Sequence, residues 1–197
     1  AMNALNQYLS YAIGILCFLA EKRRSSTLRM AVNISPSLFL DKEFVLLIKR
    51  IIDETGIIPA ELELEVTESI VQTDPRNLAI FQDLKDLGVF LSIDDFGTGY
   101  SSFASLKHLK ADYLKIDKYF IDDMLVDNQA LTLISSMIEM GHKLGYGIIA
   151  EGVEKSEQLD LLRSLGCEAI QGYLFSKPAN ADTISKLFVY PVSTNWT

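Results

Sequence analysis

The chain has only two cysteines, Cys17 and Cys167, far apart and with no C-x-x-C partner. That excludes a disulfide framework and predicts two buried free thiols in a reducing compartment. Positive charge is scarce as well: 18 Lys and Arg face 26 Asp and Glu, giving a net charge of −8 and a pI near 4.8. Non-specific binding to a DNA or RNA polymer needs a basic footprint, which this composition does not supply. Metal ions and a few placed lysines would have to meet any anionic substrate. No secretory signal is evident. The apolar stretch Leu5 to Ala20 lacks a basic leader and carries Asn6, Gln7 and Ser10. It reads as an amphipathic or buried helix stopped by the charged run Glu21 to Arg24, with a shortened membrane anchor as the alternative. There is no G-x-G-x-x-G or Walker pattern, no low-complexity segment and no linker.

What is present suits one globular domain: 197 residues, 49% of them hydrophobic. Strands are expected at Met30 to Ser35, Leu62 to Thr67, Val89 to Asp94, Tyr113 to Ile116, Gly147 to Ala150 and from Ala169 to Gln171. Helices are expected at Lys42 to Glu54, Pro75 to Leu87, Ser101 to Leu109, Asn128 to Leu144, Ser156 to Leu165 and Ala181 to Phe188. Strands alternating with helices predict βαβ units and a parallel sheet. Asn33, Glu65, Asp94, Lys115, Glu151 and Gln171 each fall at or near the end of a different strand. Functional groups at successive strand ends favour a (β/α) barrel over an open doubly wound sheet.

The chain is organised around Leu91 to Ser102, LSIDDFGTGYSS. Adjacent side chains on a strand point to opposite faces. Asp94 and Asp95 can converge only if the strand stops between them and Gly97 and Gly99 let the backbone turn. Two carboxylates held together call for a proton or a cation, and hard divalent ions such as Mg²⁺ or Mn²⁺ suit oxygen ligands. A plain strand-ending turn is the alternative.

The other candidates carry two readings each. Glu63 and Glu65 line one face of LELEVTES, either solvated or pointing into a barrel, where buried carboxylates need partners or metals. Asn33 offers a neutral amide oxygen or a turn or cap. Lys115, inside an apolar strand, is either paired with carboxylates or placed to hold a water or phosphate oxygen, with Asp117 as its expected neighbour. Glu151 can orient a water, act as a base or anchor Lys115. Gln171 can donate to a substrate oxygen or sit in a core hydrogen bond. Glu68 lies where it can brace a loop, and His108 and His142 read as surface residues.

Together VNIS, ELEVTES, DDFGTGYSS, LKID, AEGVE and QGYLFSKP, in this order, closely resemble the EAL-domain cyclic di-GMP phosphodiesterases. The resemblance runs from the first helix to Phe188. It implies a TIM-barrel-like fold, two Mg²⁺ or Mn²⁺ ions, and hydrolysis of one phosphodiester bond of cyclic di-GMP to pGpG. It also implies that Asn33, Glu65 and Asp94 hold the first metal and that Asp94 bridges to a second served by Asp95. Lys115 is similar to the lysine that positions the attacking water, and Glu151 to the catalytic glutamate beside it. Gln171 matches the glutamine at the metal-bound water. Glu68 resembles the glutamate anchoring the loop Phe96 to Ser102, which the family links to dimerisation. A homodimer in the bacterial cytoplasm is expected, alone or as the cytoplasmic part of a larger sensor protein.

The departure concerns the motif that names the family. A Glu-Ala-Leu tripeptide, whose glutamate is a metal ligand, does not occur here. The chain is therefore expected to be a single EAL-type domain over residues 1–197 that lacks the first two barrel strands, leaving about six of eight βα units. Activity is expected to be impaired, and the two sheet edges to gap open, dimerise or swap. The alternative is a degenerate, non-catalytic cyclic di-GMP receptor or a protein-interaction module. A carboxylate-dependent glycosidase gives no reason for the Asp-Asp pair.

Overall fold

Six apolar runs become six parallel strands in the computed structural model, which describes residues 28–71, 75–98 and 106–187. The strands are β1 (Met30–Ile34), β2 (Leu62–Thr67), β3 (Phe90–Phe96), β4 (Tyr113–Ile116), β5 (Gly147–Ala150) and β6 (Ala169–Ile170). They pair in chain order, β1 to β6, and every pairing is parallel. The helices are α1 (Pro36–Phe39), α2 (Phe44–Thr55), α3 (Glu68–Val71), α4 (Pro75–Asp86), α5 (Lys118–Asp122), α6 (Asn128–Leu144), α7 (Ser156–Ser164) and α8 (Ala181–Leu187). The result is a mixed α/β half-barrel, the partial TIM-barrel-like form expected.

Alternation along each strand divides the sheet into two faces. Val32, Ile34, Leu62, Leu64, Val66, Leu91, Ile93, Leu114, Ile116 and Ile148 are buried in one core with Phe44, Leu47, Ile48, Phe81 and Leu84 of the helices. The alternate positions carry the polar set. Asn33, Glu65 and Ser92 stand side by side in register, and the strand axes bring Asp94 and Lys115 to the same end.

The sheet departs from expectation at β3, which does not stop between the aspartates. It runs on to Phe96, with a register shift between Ile93 and Phe96 opposite β4. Asp95 takes φ 57°, a left-handed conformation that Asp tolerates better than most residues. This bulge, with Gly97 at φ 93° beyond it, turns the chain and lets buried Phe96 rejoin the core.

β1 ends one residue early, and Gln171 lies just past β6. Three short helices, α1, α3 and α5, join the expected ones. The expected helix Leu5 to Ala20 and Cys17 lie outside the described residues, as does most of Ser101 to Leu109. Cys167 is a buried free thiol, pushed up to about 11 by burial. Among the described residues, β1 and β6 are not paired with each other, and no helix is long and apolar enough to cross a membrane.

Candidate active site

Lys115 sits mid-sheet on β4 with 2% of its surface exposed. Its Nζ lies 2.7 Å from Glu65 Oε1 on β2, 3.2 Å from Asp94 Oδ1 on β3 and 2.6 Å from Glu151 Oε1 just past β5. Four strands thus deliver one ammonium and three carboxylates to one point. Burial by itself lowers the proton affinity of Lys115. Glu65 and Glu151 outweigh that effect and hold the amine above its usual range.

The carboxylates show the converse. Burial raises Glu65 and Glu151 above the ordinary carboxylate range, more than contact with Lys115 lowers them. One positive charge against three negative ones leaves the cluster two charges short of balance. Asp95, exposed beside it, is also raised, first by partial burial and then by the Asp94 charge. The Asp95 amide donates to Asp94 Oδ1 at 3.1 Å, which fixes the carboxylate at the bulge.

Glu68, the first residue of α3, accepts a hydrogen bond from the Gly97 amide at 3.0 Å through Oε2. It thereby ties the end of β2 to the turn after Asp95. Asn33 is exposed on β1, directly beside Glu65 in register. It does not cap α1, whose N-cap is Ser35 with a side chain that accepts from Leu38 N. Gln171 is exposed just past β6. Its backbone continues the β5 ladder, donating to the Ala150 carbonyl and accepting from Val153 N.

One reading changes. Asp117 is not a partner of Lys115; its side chain accepts from Tyr119 N at 2.8 Å and caps α5. Glu63 is buried, in line with the barrel-facing alternative, with Arg29 3.5 Å away. His142 is exposed and pairs with Glu168 at 2.8 Å, and His108 is exposed too; both lie outside the cluster.

A cleft of about 640 Å³ opens beside Glu151. Lys118, Gly152, Glu154, Gln171, Tyr173 and Lys177 are among its walls. Lys118 Nζ meets Glu154 Oε1 at 2.7 Å, and Lys177 lies 5.6 Å from the Tyr173 ring. Sequence reasoning passed over Lys118, Glu154, Tyr173 and Lys177. Their signal was position, since each follows a strand end within a few residues.

The donors available to a cation are hard oxygens: the Asn33 amide and the carboxylates of Glu65, Asp94 and Asp95, which suit Mg²⁺ or Mn²⁺. Among the described residues, no three carboxylate, imidazole or thiol groups surround a common metal position. The point shared by Glu65, Asp94 and Glu151 is Lys115 Nζ. The donor set fits a divalent ion by its chemistry and by the uncompensated charge around that lysine.

Comparison with known proteins points the same way. A family model described as EAL domain matches residues 7–178. The chain is 41% identical over 152 residues to cyclic di-GMP phosphodiesterase NbdA of Pseudomonas aeruginosa, covering 77% of this chain and 19% of NbdA. It is 39% identical over 156 residues to the bifunctional diguanylate cyclase/cyclic di-GMP phosphodiesterase MucR of the same organism, covering 79% of this chain and 23% of MucR. The chain spans about a fifth of the length of the curated relatives it matches. Among solved structures, the PaMucR phosphodiesterase in complex with c-di-GMP superimposes with TM-score 0.87 at 34% identity, covering 93% of this chain and 74% of that one. Klebsiella pneumoniae BlrP1, in manganese/cy-diGMP and calcium/cy-diGMP complexes, aligns with TM-score 0.78 at 29% identity, covering 88% of this chain and 44% of that one.

Proposed function

This chain belongs to the EAL-domain family, and from that premise we propose that it binds cyclic di-GMP and hydrolyses one of its phosphodiester bonds to give pGpG. The observation that carries the reading is the contact of Lys115 with Glu65, Asp94 and Glu151 beside an open cleft. A cleft of that volume is in the usual range for a small-molecule ligand.

Asn33, Glu65 and Asp94 would hold one Mg²⁺ or Mn²⁺, and Asp94 with Asp95 a second. Bound there, the ions would polarise phosphoryl oxygens and lower the pKa of water. The protein's own groups do the rest. Lys115 Nζ holds the carboxylates in place and presents a fixed positive charge to the attacking water. Glu151 stands at the same point, and its raised proton affinity suits it to take that water's proton at Oε1. Gln171, on the cleft side, orients the water or a phosphate oxygen through its amide. Glu68 acts from behind through Gly97, fixing the turn that carries Asp95. The exposed Tyr173 ring offers a stacking surface for a guanine base.

The chain acts as a single EAL-type domain, in a homodimer, in the cytoplasm. Tested as these 197 residues, its turnover is expected to be low, since no Glu-Ala-Leu carboxylate is available to the first metal. That same absence favours the second reading, a receptor that binds without cleaving. Chromatography of cyclic di-GMP incubated with the chain and Mn²⁺ separates the two. Appearance of pGpG supports the phosphodiesterase. Intact ligand that nevertheless binds in Ca²⁺ supports the receptor, and a chain that neither cleaves nor binds the ligand removes both readings.

A further inference from the structure

Gln158 is a long polar side chain on α7, yet only 3% of it is exposed. Its Oε1 accepts from two consecutive amides, Glu154 N and Lys155 N, each at 2.9 Å. Its Nε2 donates to the Ile121 carbonyl on α5 at 3.0 Å. Reaching back to the amide before a helix is the ordinary duty of a glutamine three residues into it. The bond to Ile121 is not; it crosses 37 residues of sequence to a different βα unit.

The segment so held is the one that follows Glu151. Glu151 N donates to the Ile116 carbonyl on β4, Val153 N to the Gln171 carbonyl, and Leu174 N to the Val153 carbonyl. The loop therefore stands between the strand of Lys115 and the strand end of Gln171. On its cleft side, Glu154 Oε1 meets Lys118 Nζ on α5 at 2.7 Å. Lys118 and Ile121 belong to one short helix, so the Glu154 and Gln158 contacts pin the loop to α5 from its exposed and buried sides. Gly152, at φ 68°, gives the loop a sharp turn.

We propose that Gln158 is a positioning residue for the cleft: it locks the Glu151–Lys155 loop to α5 and so sets Glu151 against Lys115 and Glu154 against Lys118. The inference rests on the proposed cyclic di-GMP site. It touches neither the ligand nor the reacting atoms, and acts through the loop.

The test uses Gln158→Glu and Gln158→Leu in the 197-residue chain. Glutamate retains both acceptor contacts and the helix cap, and loses the donor to Ile121. Leucine loses all three. Cyclic di-GMP affinity in Ca²⁺ is expected to fall about tenfold or more in both variants, the size typical of groups that orient a site from behind. A Gln158→Glu chain that binds like wild type reduces Gln158 to a helix cap and overturns the proposal.

Amide hydrogen exchange gives the second readout, which needs no ligand. Val153 and Leu174 should exchange at least about tenfold faster in Gln158→Glu, with β2 to β4 unchanged. Unchanged protection at those amides overturns the proposal even where wild type fails to bind cyclic di-GMP, a failure that counts against the proposed function alone.

Discussion

At the scale of single residues, the site depends on a lysine that could not be buried alone. Removing one partner of a buried charge cluster costs about 3–5 kcal/mol, because the remaining charges lose their compensation. Lys115→Met leaves Glu65, Asp94 and Glu151 facing one another. Urea unfolding in EDTA is expected to show a loss of that order, partly restored by millimolar Mn²⁺. A Met variant as stable as wild type in EDTA would mean the three carboxylates were never held together. Glu68→Ala removes the acceptor for the Gly97 amide. A hydrogen bond to a charged group contributes about 1.5–3 kcal/mol, so a loss of at least that lower value is expected in denaturant titration, with faster exchange at Gly97.

Legibility at this scale was uneven. Glu65, Asp94, Lys115 and Glu151 could be read as neighbours because polar residues at the ends of apolar parallel strands have few other places to go. Asp117 misled for the same reason, being two residues past Lys115. Its following run Lys118–Asp122 was too short to show a helical period, so its role as a cap was hidden. Gln158 carried a visible cue, a glutamine three residues after Lys155 at a helix start, and nothing in the sequence announced the bond to Ile121.

At the scale of elements, the strands were legible because each is a short apolar run bounded by turn residues. The end of β3 was not. Only coordinates show that Asp95 adopts a left-handed conformation inside a bulge, although the buried Phe96 after two acids was a hint that the strand resumes.

The contact between the residue before β5 and the segment before β4 makes a separate prediction. Tyr146 donates from its hydroxyl to the carbonyls of Leu106 at 2.6 Å and Leu109 at 3.0 Å. Burial pushes the phenol up to about 12 from an ordinary 10. A folded-state pKa above the unfolded value means the native protein holds its proton longer. That contribution is complete below pH 10 and is lost as pH rises to about 12. Cys167, about 11 against 9, and Lys115 act in the same direction. Thermal unfolding should therefore show stability falling from about pH 9 upward. Tyr146→Phe should flatten the part above pH 10, and an unchanged alkaline slope in that variant would contradict the assignment.

The loop beside the cleft has an equally local test. A Cβ at Gly172 would stand 2.1 Å from the Val153 carbonyl oxygen. Gly172→Ala must push the loop or the exit of β6 aside, at about 1–3 kcal/mol, and should lower ligand affinity together with melting temperature.

At the scale of the whole molecule, the sheet of the described residues ends at two edges, β1 and β6, which are not paired with each other. Such edges offer hydrogen-bonding groups to another strand, and the proposed homodimer is consistent with that. Sedimentation at micromolar concentration is expected to show a dimer; a monomer at every concentration would remove it. The net charge of −8 makes a second demand. An acidic chain can hold a dinucleotide with two phosphates where bound cations, with placed lysines, reverse the local field.

Cyclic di-GMP affinity measured by calorimetry, in Ca²⁺ and again in EDTA, for wild type and Asp94→Asn, tests that demand most directly. The account predicts binding by wild type in Ca²⁺, loss of that binding in EDTA, and little binding by Asp94→Asn in either, with its melting temperature close to that of wild type. Equal affinity in Ca²⁺ and EDTA, or full affinity in Asp94→Asn, would contradict a cation-dependent site at the strand ends.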